Sequence, residues 1–412
     1  MSSDFLYVSA VSQVQHVLRE IKCLQASEFP YSSSKEALDI LHNIFSMHSG
    51  LLIDCKDGFD ESIEDNVCGN AVFDCAACID TLGFVLRSTN VRNSFEIYGP
   101  FLRLSKSILG DSVKLIVSSE WGYSPFIKGG GAQLPDFVLM GLPATQSSNS
   151  FLLPIAGHEL GHTIWNKERL DKKLSSLEIN ECIVRTIQKH WDSYVSAFPE
   201  LSDKKNELFT DLFARSSWGP IYDWVKHQLQ ESFCDIVGVG IFGASYYYAT
   251  AYLLVINKSL ARKLLYPDHY DRIRIIADIC KQWGVNIPED YLNLYSNAGP
   301  PNKENTKEAA LLFVADVVRD EFIGEMRLWV EEILKPKNFA VDSDVVKLCK
   351  SSFAFGVPSE NAKGLQNILA AAWDSLLDDG FVAGGFEDKE DLLNEIVLKS
   401  IEILEIEQLI ND

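Results

Sequence analysis

The sequence of 412 residues predicts an α+β protein that is mostly helical, and three observations lead there. Apolar residues recur at helical spacing through residues 1–90 and again from about 300 to the end. Between 91 and 145 the pattern changes to short apolar runs bounded by glycine, proline and serine, which read as the strands of a small sheet. A charged helical stretch and then a long uncharged one fill the interval up to 300. The expected division is an N-terminal helical region at 1–90, a central domain at 91–300 and a C-terminal helical region at 301–412.

The first region contains "SAVSQVQHVLREIKCL" and "SKEALDILHNIFSMHSG", the latter with Ser34 as its expected N-cap and Gly50 as its stop. Strands are expected at "VKLIVSS" and at "DFVLMGLPA", Asp136 to Ala144, joined by the glycine-rich loop "GYSPFIKGGGAQLP". "SSNS" at 147–150 offers caps for a helix beginning near Phe151. Helices interrupted at "FPE" and "SSWGP" follow. From Ile236 to Ile256 the chain runs without a charge for about the length of a bilayer crossing. Its three glycines and three adjacent tyrosines fit a helix buried in protein better than one facing lipid. After 300, three further helical segments are separated by a Pro/Ser segment at 353–359 and by "DDGFVAGGF".

The composition is 47% hydrophobic and 11% aromatic, as expected of a folded chain and not of a disordered one. A formal charge of -21 argues against nucleic acid as the main partner and against anionic membrane surfaces. Nine scattered cysteines, an odd number, fit reduced thiols. With no secretory pattern in "MSSDFLYVSAVSQVQ", a cytoplasmic location is expected.

The chemistry concentrates in "FLLPIAGHELGHTIWNKE", Phe151 to Glu168. On a helix His158 and His162 lie one above the other, so both imidazoles can meet one ion, with Glu159 beside it. Neutral imidazoles suit Zn2+, which in catalytic sites takes three protein ligands. Zinc brings the pKa of water to about 7, and Glu159 stands where a general base is needed. A chance His-Glu-x-x-His would occur in about one such sequence in a hundred, so the helix context and Gly161 add weight.

The third ligand has to come from elsewhere. The extended motif with a glycine and then a histidine after His162 is absent, since Trp165 and Glu168 stand there. A glutamate on a second helix, with an aspartate one turn later to orient a ligand histidine, is the remaining common choice. "ELFTD" offers Glu207 with Asp211, and "ESFCD" offers Glu231 with Asp235. Glu231 is preferred because its helix runs on into the uncharged stretch. His227, one turn earlier, is a further candidate against an ordinary surface histidine.

"HELGH" followed by "ESFCDIVG" resembles the gluzincin metallopeptidases, nearest to the branch of the CAAX prenyl proteases and their bacterial heat-shock relatives. The resemblance covers roughly residues 100 to 280 and implies a zincin-like core, a small sheet with two active-site helices. It also implies zinc bound by His158, His162 and Glu231, catalysis by Glu159, Asp235 behind a ligand, and a peptide or protein substrate. In "YPDHYDRIRI" Pro267 and Arg272 match that branch's His-Pro segment and arginine, while Tyr266 replaces the histidine. Tyr266, or His269 three residues later, would then donate to a developing oxyanion, with Arg272 nearby.

A peptide would need a free sheet edge, for which Asp136 to Ala144 is the candidate against a core strand, with "KGGG" at 128–131 as a cover or a plain turn. Cys75 and Cys78, near Cys68, read as structural thiols. Two rival functions stay open: a zincin-like scaffold that cleaves nothing and acts by interaction, and a metal hydrolase acting on a non-peptide amide.

Overall fold

The computed structural model describes residues 3–56, 60–91, 94–120, 125–255, 264–288, 306–381 and 389–411. It is mostly helical with one three-stranded mixed sheet, so the α+β class expected from the sequence is observed. By its own contacts the chain separates into two units, Met1–Ser148 and Asn149–Asp412.

In the first unit α1 (Ser3–Gln25), α2 (Ser32–Cys55) and α3 (Glu61–Arg87) pack on one another. Ile21, Leu38, Phe45, Ala71, Cys78 and Phe84 are fully buried at the centre of this unit. The α2 boundaries differ from expectation: Tyr31 precedes the helix, and Ser34 and Gly50 lie inside it. Ser34 is spent on a bond to the Ser88 hydroxyl at 3.0 Å, and Ser33 donates to the Leu115 carbonyl at 2.6 Å. Gly50 sits on the exposed side, where nothing forces a stop. Residues expected to begin the strands form α4 (Ser94–Leu109) instead, with Pro100 inside it.

The strands are β1 (Lys114–Glu120), β2 (Phe126–Gly130) and β3 (Leu134–Pro143), in the order β1-β3-β2. β3 pairs parallel to β1 and antiparallel to β2. The candidate edge for a peptide is therefore a central strand with both sides occupied, and that expectation is corrected. "KGGG" is no separate cover: Lys128 to Gly130 belong to β2, and Gly131 at φ 67 turns the hairpin into β3.

Among the described residues, α3 is the one helix with the length and apolarity of a membrane span. Part of its surface faces the unit's core through Cys68, Ala71, Cys75 and Cys78. Burial holds the Cys75 and Cys78 thiols up at about 11 and about 12, in keeping with structural thiols. All nine cysteines are free.

The second unit begins with a short 3-10 stretch at Ser150–Ile155, opened by Asn149, whose side chain accepts from the Phe151 N–H at 3.2 Å. Then come α5 (Ala156–Lys167), α6 (Leu170–Leu174), α7 (Ile179–Lys189) and α8 (Trp191–Ala197). Its axis is α9 (Leu212–Phe242), against which α5, α7 and α12 (Thr306–Leu334) pack. "SSWGP" lies inside α9 and does not break it: Trp218 and Ile221 are buried, and the Trp218 indole donates to the Leu208 carbonyl at 2.9 Å. Gly243, at φ 58, ends α9. The uncharged stretch thus divides into two buried helical pieces, α9 and α10 (Ala244–Val255), with Ile256 outside the described residues.

α11 (His269–Gln282) packs on α9 and α10. Arg319 of α12, fully buried, binds Asp271 at 3.0 Å, Asp316 at 3.0 Å and Asp320 at 2.8 Å, which pins α11 to α12. α13 (Ser343–Ala354), α14 (Leu365–Leu376) and α15 (Lys389–Asn411) complete the unit. Asn394 of α15 accepts from both the backbone N–H and the hydroxyl of Ser150 at 2.8 Å, joining the end of the chain to the stretch that leads into α5.

Candidate metal centre

Glycines set the distance between α5 and α9. A Cβ built on Gly161 would come within 2.7 Å of the Cys234 Cα, and one on Gly157 within 2.9 Å of the Gly238 Cα. The two helices therefore meet backbone against backbone along these rows. One position along each helix lie His158 and His162 on α5, and Glu231 and Asp235 on α9, each pair spaced four apart on one face. The close seam brings the two faces together.

His158 Nε2 stands 3.4 Å from Glu231 Oε2, and His162 Nε2 stands 3.7 Å from Glu231 Oε1. The two imidazole rings are 5.0 Å apart and nearly perpendicular, at 83°. Nitrogen and oxygen ligands held at about 2.0–2.1 Å around a tetrahedral ion lie roughly 3.3 Å from each other. Each imidazole nitrogen thus faces one oxygen of Glu231 at about that spacing, and the three side chains are of the type that could hold a small cation.

Behind His158, its Nδ1 lies 2.8 Å from Asp235 Oδ1. Asp235 is nearly saturated: Arg272 Nε donates to Oδ2 at 2.9 Å, Arg272 Nη2 to Oδ1 at 2.6 Å, and the Tyr246 hydroxyl to Oδ1 at 2.6 Å. Burial alone would raise the Asp235 carboxyl, but Arg272 and His158 outweigh it and hold it well below the usual carboxylate range. Burial likewise opposes protonation of His158, yet Asp235 and Glu231 overcome it and lift that imidazole to about 10. His162, pressed down by burial and by the charge on His158, falls to about 4. Glu231 is lowered against its burial, first by its bond to His158. Of the two imidazoles, His158 is the one that its carboxylate neighbours favour in the protonated form.

The Cys234 thiol also lies within 4.8 Å of donor nitrogens of His158 and His162. Complete burial, reinforced by Glu231 and Asp235, keeps it protonated far above its ordinary range. Glu231 is already an anion and is the readier third donor.

The other expected residues fall out as follows. Glu159 is buried in the same turn of α5. Tyr266, 43% exposed, has its hydroxyl pushed up first by the charge of Glu231, with burial and Glu159 acting in the same direction, so it stands in the field of both carboxylates. Arg272 is committed to Asp235. His269 opens α11 and is lowered by burial and by Arg272. His227 is exposed on α9. The rival pair is not brought to the histidines: Asp211 caps α9 by accepting from Ala214 N–H at 2.9 Å, and Lys204 binds both Glu207 at 2.8 Å and Asp211 at 3.1 Å.

Three residues were missed, Cys234, Tyr246 and Gln230. Tyr246 reaches the site from α10, and Gln230 lies 3.5 Å from His162 Nδ1. Nothing in "SYYY" singles out Tyr246 from Tyr247 and Tyr248, and Ser245 and Thr250 are polar side chains nearer in sequence than Asp235. Comparison of the chain with protein families, curated proteins and solved structures gives no match.

Proposed function

We propose that this chain is a zinc-dependent metallopeptidase of gluzincin type, with a zincin-like core built on α5 and α9. The supporting observation is the convergence of His158 Nε2 and His162 Nε2 on the two oxygens of Glu231, at 3.4 and 3.7 Å. His158, His162 and Glu231 would hold the ion. When bound, zinc would supply Lewis-acid polarisation of the scissile carbonyl and bring water within reach of deprotonation near neutral pH.

The chain's own groups do the rest. Glu159 accepts the proton of the attacking water and returns it to the leaving amine. The Tyr266 hydroxyl, a phenol protonated at neutral pH, donates to the oxyanion. Asp235, fixed by Arg272, holds the His158 ring with its Nδ1–H turned away from the ligand side. Arg272 therefore serves as a positioning residue.

The test is metal content together with cleavage. Purified protein should carry about one zinc, and Glu159→Gln should retain it while losing hydrolysis of a mixed peptide library. Cleavage retained by Glu159→Gln would overturn the mechanism. Zinc bound by a protein that cleaves nothing would leave a metal-holding scaffold.

A further inference from the structure

The Tyr246 hydroxyl lies deep behind the centre, donating to Asp235 Oδ1 at 2.6 Å and standing 3.4 Å from His158 Nδ1. Its ring is completely buried and fills the notch left by a glycine: a Cβ on Gly238 would meet the Tyr246 ring at 2.4 Å. Gly238 in turn faces Gly157 of α5, two backbones apart from the phenol. The tyrosine is thus wedged by the same close seam that sets the distance between the ligand helices. Asp235 Oδ1 receives three donors, from Tyr246, Arg272 and His158, and Tyr246 brings the only one of them from α10.

We infer that Tyr246 is a positioning residue for the metal site, acting through Asp235 to fix the plane of the His158 ring. The inference rests on the metal reading of the site. Arg272 alone fixes where the carboxylate sits, through one contact on each oxygen. The phenol adds a third direction at Oδ1, so the carboxylate cannot rock about its own long axis and carry the His158 N–H with it. Among the described residues the Nδ1 of His162 lies 3.5 Å from the neutral amide of Gln230, where His158 has a carboxylate. The rigidity of the site is therefore concentrated on His158.

The substitution Tyr246→Phe removes the hydroxyl and keeps the ring that fills the Gly238 notch. Zinc alone, competed against a chromogenic chelator, should bind the full-length variant about ten-fold or more weakly than wild type. The cobalt-substituted variant should show a changed visible spectrum. Tyr247→Phe, one residue on and also buried, is the control: it should keep wild-type affinity and spectrum. Equal zinc affinity and an unchanged cobalt spectrum in Tyr246→Phe would overturn the positioning role. So would a loss of the same size in Tyr247→Phe, since that marks a general packing effect.

Should Tyr246→Phe fail to fold, wild type still decides. The proton between Tyr246 and Asp235 should give a slowly exchanging hydroxyl resonance with cross-peaks to the His158 ring, and its absence would refute the contact. A wild type that binds no zinc refutes the metal reading itself. A wild type that binds zinc, beside a variant that binds it equally, refutes only the role of Tyr246.

Discussion

Replacing Gly161 by alanine tests the contact on which the proposed metal centre depends. The new methyl would meet the Cys234 Cα at 2.7 Å, its Cβ at 2.9 Å and its Sγ at 3.0 Å. To reach ordinary contact at 3.4 Å, α5 and α9 must part by about 0.7 Å at that point. Alanine in a helix interior gains about 0.5–1 kcal/mol over glycine, and overpacking costs about 1–3 kcal/mol, so a net loss of about 1 kcal/mol is expected. The effect on the site is larger in proportion. Metal ligands tolerate displacements of only about 0.2 Å, so zinc affinity should fall at least about ten-fold.

Gly50→Ala in α2 is the reference substitution, because nothing lies within 4 Å of its added methyl. It should stabilise by about 0.5–1 kcal/mol and leave zinc binding unchanged. Urea unfolding of the metal-free proteins, with zinc titrations on the folded ones, measures both. If Gly161→Ala stabilises as Gly50→Ala does and binds zinc like wild type, the seam between α5 and α9 is wider than described and the reasoning fails.

Other outcomes follow from the same contacts. Asp235→Asn leaves the Arg272 guanidinium, 14% exposed, without its anion, and should cost about 3 kcal/mol in denaturant melts. Its zinc affinity should drop about 10- to 100-fold; wild-type affinity would show that Asp235 does not govern His158. Arg319→Met strands three aspartates that are partly exposed and can rehydrate, so a loss near about 3 kcal/mol is expected, the low end for breaking a buried pair. Hydrogen exchange should then rise along α11 and α12, and unchanged protection there would refute the pin. Native protein should react rapidly with a thiol reagent at one cysteine, Cys23, and at all nine once unfolded. Rapid native labelling of Cys75 or Cys78 would contradict their burial.

What could be read from the sequence was local. His158 with His162, and Glu231 with Asp235, are pairs at a spacing of four, and a helix turns that spacing into a shared face whatever surrounds it. β1 and β3 were legible for the same reason, as short apolar runs between turn residues. Features that depend on distant partners were not. Pro220 suggests a break, yet the burial of Trp218 and Ile221 carries α9 through it. Pro100 concealed α4 in the same way. The positive φ of Gly243 divides a stretch that hydropathy alone presents as one rod. Nothing in "DFVLMGLPA" tells that both its sides are occupied, because strand order depends on pairing that only the folded chain reveals. Tyr246 was hidden among three tyrosines until the fold chose which of them reaches Asp235.

The strand order also bears on how the first unit comes together. Partners in β2 and β3 such as Lys128 and Leu139 are 11 residues apart along the chain, whereas Lys114 and Phe137 of β1 and β3 are 23 apart. Doubling a loop costs about 0.6 kcal/mol in closure entropy, so the hairpin is the cheaper event and β1 is the later arrival. Slowing the hairpin at its Gly131 corner should delay assembly of the whole sheet, while a blemish in β1 should mainly hasten its undoing.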